Sequence, residues 1–352
     1  MGKKVAIGLS GGVDSSVAAA LLLQQGYEVI AVTMRHLPAE STNSCCSLEA
    51  VVDARRVAKK LGIKHFLVDV ESTFYQRVIE PFELGYLAGT TPNPCAMCNR
   101  YIKFGAMWDW AQSQGCDYLA TGHYVRRVEH DGRYQLWRAR DLTKDQSYLL
   151  YSLGQEDLAH CLFPLGEYPK TETRALAEEL ELVTAAKPDS QELCFVPKND
   201  YAGYLERSRP ESLRPGDIVD SSGAVVGQHR GIAFYTVGQR KGLGITTPTP
   251  QYVVGLDESS NQVMIGDRKA ALSSQLRVIH VHYTDGTAAR SEYTGRVKIR
   301  YNMDPEPAQW KANADQTATV QFFDPQWAVT PGQIAALYDG EQLLAGGRIA
   351  KG

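Results

Sequence analysis

The sequence predicts an α/β domain built on a parallel sheet, then a small, mostly β domain, then a C-terminal β-barrel. Three observations lead there. Up to about residue 122, strand-length apolar runs alternate with stretches of helical periodicity, a pattern that places helices on both faces of a parallel sheet. The first of those runs ends in a pair of glycines that feeds directly into a helix. Beyond about residue 205 helical periodicity gives way to short β-branched runs separated by glycine-containing turns. The expected units are 1–205, 206–272 and 273–352.

The first strand is Val5-Ala6-Ile7-Gly8-Leu9, and Ser10-Gly11-Gly12-Val13-Asp14-Ser15-Ser16 follows it. Val17 to Leu23 then reads as a buried helix. A glycine turn opening a helix is an anion site, because unpaired amides and the positive end of the helix dipole face whatever lies in the turn. Ser10, Ser15 and Ser16 add hydroxyl donors. No lysine stands where a Walker loop would need one, and the glycines are not spaced as in a dinucleotide fingerprint. The candidate nucleotide set is therefore Gly8, Leu9, Ser10, Gly11, Gly12, Val13, Asp14 and Ser15. A carboxylate among phosphates needs a cation between them, which assigns Asp14 to magnesium.

Gly26 stops the helix, Tyr27 to Met34 forms the second strand, 35–47 is a loop, and Leu48 to Leu61 is the second helix before the strand His65 to Val70. Ligands of such sheets sit at the carboxyl ends of the strands, so Met34 and Gly122, after the strand Tyr118 to Thr121, are candidates for the adenine pocket. In Thr90-Thr91-Pro92-Asn93-Pro94-Cys95-Ala96-Met97-Cys98-Asn99-Arg100 the two prolines argue against a helix, which resumes from Asn99 to Trp110. Cys98 then lies at or near a helix N-terminus, a position that favours the nucleophilic thiolate. Cys-x-x-Cys alone leaves open a redox pair, half a zinc site or cluster ligands.

Asp131-Gly132 marks a hairpin whose arginines and aromatics, Arg126, Arg127, Arg133, Arg138 and Arg140 with Tyr124, Tyr134 and Trp137, suit RNA or an ordinary solvated face. A helix from Thr171 to Leu182, with Thr171 as its cap, precedes the polar loop Lys187-Pro188-Asp189-Ser190-Gln191-Glu192-Leu193-Cys194-Phe195. Further on, Gly227-Gln228-His229-Arg230-Gly231 is echoed by Gly238-Gln239-Arg240-Lys241-Gly242, two turns suited to RNA backbone. Strand-like runs from Arg277 onward suit a closed barrel.

The 352 residues are 43% hydrophobic and 22% charged, with a net charge of −3, so any nucleic acid must be held by local basic patches. A five-residue apolar run broken by glycines gives neither a secretory signal nor a membrane span, and the seven cysteines read as thiols rather than as a disulfide framework. A cytoplasmic monomer is expected.

The hexapeptide Ser10 to Ser15 resembles the PP-loop of the ATP pyrophosphatases. Together with Asn93 to Asn99, Ala120-Thr121-Gly122-His123-Tyr124, Lys144-Asp145-Gln146-Ser147-Tyr148, Asp189 to Phe195 and Val297-Lys298-Ile299-Arg300-Tyr301, in that order, it makes nearly the whole chain similar to the tRNA-specific 2-thiouridylases. The resemblance implies an adenine-nucleotide α-hydrolase-like first domain and ATP-dependent replacement of the C2 oxygen of a wobble uridine by sulfur. It further implies a persulfide on Cys194, a nucleophilic or resolving Cys98, and a Cys98–Cys194 disulfide left after transfer. The tRNA site it implies comprises Asn93, Pro94, Cys95, His123, Lys144, Asp145, Gln146, Arg300, Tyr301 and Gln333, with a sulfur donor or relay protein upstream. Many relatives carry Asp where this chain has Cys95. Cys95, Cys98 and Cys194 holding an iron–sulfur cluster is the alternative that departure raises. A PP-loop ligase or amidotransferase-like enzyme, and a non-catalytic RNA-binding protein, are the other classes compatible with the sequence.

Overall fold

The computed structural model describes residues 2–37, 48–189, 193–196, 200–284, 286 and 291–351. At its centre is a parallel sheet. Strand β1 (Lys4–Gly8) lies between β2 (Glu28–Arg35) and β4 (Tyr118–Ala120), with β3 (Lys64–Asp69) outside β2 and the two-residue β7 (Cys161–Leu162) outside β4. Val5, Ala6 and Ile7 have no exposure at all, as a central strand covered on both faces requires. Helix α1 (Val13–Gln24) buries nine of its twelve residues, whereas α2 (Leu48–Leu61) is amphipathic and turns Ala50, Ala54, Val57 and Ala58 inward. The chain steps from β1 through β2 to β3, then returns to the other side of β1 as β4. That reversal opens a crevice at the carboxyl end of β1, and the glycine turn stands in it.

A long helical stretch follows β3: α3 (Glu71–Phe74), π-helical turns over Tyr75–Ile79 and α4 (Glu80–Leu87). It is anchored by Glu83, 1% exposed, which accepts hydrogen bonds from Tyr204 Oη (2.8 Å) and Arg209 Nε (2.8 Å) at helix α9 (Tyr201–Ser208). Residues 216–266 form a four-stranded sheet in the order β10 (Tyr252–Asp257), β11 (Gln262–Gly266), β8 (Gly216–Val219), β9 (Val225–His229). The last six strands are β12 (Leu272–Tyr283), β13 (Glu292–Lys298), β14 (Glu306–Ala312), β15 (Ala318–Trp327), β16 (Ile334–Asp339) and β17 (Gln342–Ile349). Because β12 pairs with both β15 and β17, they close into an antiparallel barrel filled by Trp310, Val320, Phe322 and Leu337.

The basic hairpin is β5 (Val125–His130) and β6 (Arg133–Arg138), joined by Asp131 and Gly132 at φ 51° and 73°, the two positive values a tight type I′ turn needs. It does not stand free. β6 pairs with β17 through Leu136 and Leu343, so the hairpin extends the barrel sheet. Arg126 bonds Glu341 (2.6 Å) and the Arg138 carbonyl (2.7 Å), and Arg127 bonds the Leu158 and Ala159 carbonyls of helix α7 (Gln155–His160) at 2.8 and 3.2 Å, so these two guanidiniums fasten the hairpin rather than offer a ribbon to RNA. The echoed turns divide in the same way. His229 is buried against the Asn261 carbonyl and Arg230 pairs with Glu206, while Arg240 and Lys241 are exposed. One helix start also differs from expectation: α8 (Lys170–Glu179) begins one residue early, with Pro169 as its extended N-cap, and Thr171 does not cap it.

Candidate active site

The turn after β1 is shaped by close approach. Gly11 has φ +73°, and a β-carbon there would meet the Ala50 carbonyl oxygen at 2.3 Å. A β-carbon on Gly122 would meet the Ser15 amide nitrogen at 2.7 Å and the Asp14 carbonyl carbon at 2.9 Å, so the loop after β4 lies directly on the start of α1. Leu9 is pinned to β2, its amide donating to the Val32 carbonyl (2.8 Å) and its carbonyl accepting from Thr33 Oγ1 (2.6 Å). Ser15 Oγ accepts from the Ser10 amide (3.2 Å), and Ser16 Oγ donates to the Gly12 carbonyl (2.7 Å). The N-cap is Gly12 itself, and no side chain caps the first-turn amides of α1. This arrangement fits the phosphates of ATP, because a helix start without a side-chain cap offers amide donors and the positive end of its dipole to an anion. Met34, at the end of β2 as expected, is buried in the core cluster and 8% exposed.

Asp14 does not present a bare carboxylate. Lys170 Nζ donates to its Oδ1 and Oδ2 at 2.6 and 2.8 Å, and Tyr124 Oη donates to Oδ1 at 2.7 Å. Burial first, and then the charge of Asp14, push the Tyr124 phenol well above its ordinary range, which keeps it a donor. An ammonium supplied by α8 therefore lies on the carboxylate assigned to magnesium. Among the described residues no group of three or more His, Cys, Asp and Glu side chains converges to hold a metal ion.

The same ammonium reaches Asp189. Lys170 Nζ lies 2.8 Å from Asp189 Oδ1, with Arg174 at 2.7 Å on that oxygen and Lys144 at 2.8 Å on Oδ2. Burial alone would raise the Asp189 carboxyl, but hydrogen bonds from Lys144 and Lys170 outweigh it and hold the group at about 2. The Asp189 bond in turn raises Lys144. Cys194 is five residues further along, half-buried against the core cluster that also receives Cys98. Ser190, Gln191 and Glu192 lie outside the described residues, as do Cys45 and Cys46.

The Cys98 segment corrects the sequence reading. Helix α5 (Pro94–Cys98) begins at Pro94, continues through π-helical turns over Asn99–Ala106 and ends in α6 (Met107–Ser113). Asn93 is the N-cap, its Oδ1 accepting from the Ala96 amide (3.1 Å). Proline opens the helix rather than breaking it, because the first helical position needs no amide hydrogen. Exposed Cys95 takes the first-turn place, and Cys98 sits a turn deeper.

Barrel residues come to this segment. Gln333 Nε2 donates to the Thr91 carbonyl (2.8 Å), the Thr91 amide donates to the Pro331 carbonyl (2.8 Å), and Tyr148 Oη donates to the Ile334 carbonyl (3.0 Å). Asp145, 3% exposed, accepts from the Ala139 and Ser147 amides and from Arg138 Nε, and so shapes its loop. Gln146 clasps Tyr124, with Oε1 accepting from the Tyr124 amide (3.0 Å). His123 is buried, and desolvation holds its imidazole well below its usual value. Its Nδ1 pairs with Thr121 Oγ1 (2.8 Å) and its Nε2 with Lys103 Nζ (3.3 Å), so as a neutral ring it accepts from the ammonium at Nε2 and donates from Nδ1. Arg300 bonds the Trp327 carbonyl but leaves its buried Nε without an acceptor, and Tyr301 is 41% exposed beside Lys298, whose Nζ lies 5.6 Å from the Tyr301 ring centre.

Lys170, Arg174 and Asp189 are members of the site that sequence reasoning did not assign a role, and Tyr124, expected among the hairpin aromatics, instead donates to Asp14. One signal was present: Lys170 opens a helix, where a cation opposes the helix dipole and so calls for another reason to be there.

Comparison with known proteins extends this picture over the whole chain. Residues 3–198 match the model described as the tRNA methyl transferase HUP domain, 202–267 the tRNA methyl transferase PRC-barrel domain, and 273–349 the aminomethyltransferase beta-barrel domain. The tRNA-specific 2-thiouridylase MnmA of Carboxydothermus hydrogenoformans is 47% identical over 99% of this chain and 98% of its own. The chain belongs to the tRNA-specific 2-thiouridylase family. Members from Clostridium acetobutylicum and Magnetococcus marinus, each 45% identical, are likewise matched over 99% of this chain, and over 100% and 99% of their own. For this family member the parallel-sheet domain with its PP-loop and the terminal antiparallel barrel are the architecture the sequence predicted.

Proposed function

We propose that this chain transfers sulfur to C2 of the wobble uridine of tRNA at the expense of ATP, acting as a monomer organised in the units 1–205, 206–272 and 273–352. The observation that carries the reading is that one ion network joins the two halves such a reaction needs. Asp14 of the phosphate loop and Asp189, five residues before Cys194, are bonded to the same ammonium.

In the reaction so read, the uracil C2 oxygen attacks the α-phosphorus of ATP held by the loop amides, and pyrophosphate leaves. The terminal sulfur of a Cys194 persulfide, loaded by an upstream donor, attacks C2. The Cys98 thiolate then attacks Cys194 Sγ, the persulfide bond breaks, and a Cys98–Cys194 disulfide forms. The sulfur left on C2 collapses to the thiocarbonyl as AMP departs, and an external thiol reductant restores the two cysteines. Asp14, the carboxylate of the phosphate loop, would hold magnesium carried by ATP, and the ion would supply charge neutralisation for the departing pyrophosphate. His123, Gln146, Arg300, Tyr301 and Gln333, together with Asn93, Pro94, Cys95, Lys144 and Asp145, form or support the tRNA-facing side.

The test is mass analysis of tRNA after incubation with ATP, a sulfide source and reductant, with pyrophosphate measured in parallel. The reading expects a gain of one sulfur for one oxygen and pyrophosphate release that depends on added tRNA. Pyrophosphate release of the same rate without tRNA would instead place the chain among PP-loop ligases.

A further inference from the structure

Helix α6 runs against the strands of the parallel sheet. At the start of β1 the Lys4 ammonium donates to the Gln114 carbonyl (2.7 Å), and at its end a β-carbon on Gly8 would stand 3.1 Å from Met107 Cε. The helical stretch that opens at Pro94 therefore descends from the carboxyl end of the sheet, and residues nearer to its beginning lie further past the end of β1. Lys103 is one turn before Met107, which places it about 5 Å beyond Gly8, at the level of the phosphate loop. Cys98 is a turn further out on the same stretch. A second contact fixes the level: Lys103 Nζ lies 3.3 Å from His123 Nε2, and His123 follows Gly122, which rests on the Ser15 amide.

Among the described residues, the hydrogen-bond partner of Lys103 carries no charge. Lys144, Lys170 and Arg174 are each bonded to Asp189, whereas His123 is buried and desolvation keeps its ring neutral. An ammonium has three N–H groups and the imidazole accepts one, so two remain for an anion. Lys103 is half-buried, and water and salt screen a contact there less than on the open surface. Chemistry selects the anion. In the thiolation reading, on which this inference rests, the uracil oxygen attacks the α-phosphorus and the sulfur attacks C2 of the same ring. The α-phosphoryl group then has to lie between the loop and the cysteines, which is where Lys103 stands.

We propose that Lys103 is a catalytic residue that binds the α-phosphoryl group of ATP, and that His123 is the positioning residue that aims it there. As the bond from the uracil oxygen to the α-phosphorus forms, the bond from that phosphorus to the bridging oxygen breaks, and its electron pair leaves with pyrophosphate. Lys103 keeps its protons throughout and donates hydrogen bonds to the non-bridging α-oxygens. The same contact holds the phosphate when sulfur displaces it as AMP.

The test uses the full-length protein. Acetylation of Lys103 by an N-hydroxysuccinimide ester is followed by peptide mass spectrometry with α,β-methylene-ATP or AMP as occupant, and binding is measured by calorimetry on the same samples. Wild type should be acetylated at Lys103 severalfold more slowly with either occupant at saturation. Lys103→Met should bind α,β-methylene-ATP about tenfold more weakly, the weight of one charge-assisted hydrogen bond. At saturating ATP its tRNA-dependent pyrophosphate release should fall about a hundredfold, and Lys103→Arg should recover most of both. His123→Phe should lower release about tenfold, and His123→Gln, which restores an acceptor for the ammonium, should recover part of it. Wild type that binds the analogue yet is acetylated at the unliganded rate would overturn the assignment, as would Lys103→Met that releases pyrophosphate at the wild-type rate. Protection by the analogue but not by saturating AMP would move the lysine to another phosphate and overturn it as well. If Lys103→Met does not fold, the acetylation of wild type decides. Undiminished release by His123→Phe would remove the positioning role. Failure of wild type to bind α,β-methylene-ATP would instead remove the ATP reading beneath the proposal.

Discussion

Replacing Asp189 by Asn tests the electrostatic core of the site. The carboxylate lies among Lys144, Lys170 and Arg174 with its side chain 25% exposed. Its folded value of about 2, against an ordinary 3.8, corresponds to about 2.4 kcal/mol at about 1.36 kcal/mol per pH unit. Solvent screening of a quarter-exposed group reduces that to about 1–2 kcal/mol. The folded value is the depressed one, so the stabilisation is complete above the unfolded value near 4 and is lost as pH falls from there towards 2. Asp189→Asn should therefore lower the thermal midpoint at pH 7 by about 2–8 °C, taking a cooperative unit of the size of the first domain. The gap to wild type should persist at pH 5 and narrow below pH 4. Differential scanning calorimetry across that range measures both. A variant as stable as wild type at pH 7, or a gap that does not change between pH 5 and pH 3, would refute the assignment of Asp189 as the clamped anion.

Three further outcomes follow from contacts elsewhere. Gly122→Ala puts a β-carbon 2.7 Å from the Ser15 amide nitrogen, and overpacking of this kind costs about 1–3 kcal/mol, so ATP-analogue affinity should fall about tenfold by calorimetry; unchanged affinity would mean that the loop after β4 does not shape the nucleotide site. Glu83→Ala removes the 1% exposed carboxylate that accepts from Tyr204 and Arg209 and leaves Arg209 only the exposed Glu211 at 3.8 Å, so a loss of about 3–5 kcal/mol should appear in thermal scans. A midpoint within a degree of wild type would contradict it. Cys194→Ser should abolish sulfur incorporation into tRNA while leaving tRNA retention in a gel-shift assay nearly intact. A large binding loss would make Cys194 structural.

What the sequence determined by itself was whatever local patterning controls. The apolar run at Val5 to Leu9, the Leu48 to Leu61 periodicity and the Asp131-Gly132 turn each specify an element through nearest neighbours along the chain, and those elements stand where they were expected. The phosphate loop is legible for the same reason: glycine turn, serine hydroxyls and helix start are contiguous. Local patterning misjudged the start of α5, where proline opens a helix, and of α8, where the chain turns helical at Lys170.

Tertiary structure decided the partners. Asp14 reads as a metal ligand while only its neighbours in sequence are known, since none of them is cationic. The cation that the structure places on it is Lys170, 156 residues away. Arg126 looks available for RNA until β17 brings Glu341 beside it. Gln333 joins the cysteine segment because the barrel loop docks on Thr91. Charge pairing acts over a few ångströms in space and carries no periodic signature along the chain. The turn from Ser10 to Ser15 could therefore be read as a nucleotide cradle from its residues, whereas the lysine that links it to Asp189, five residues before Cys194, becomes visible only once α8 is packed against α1.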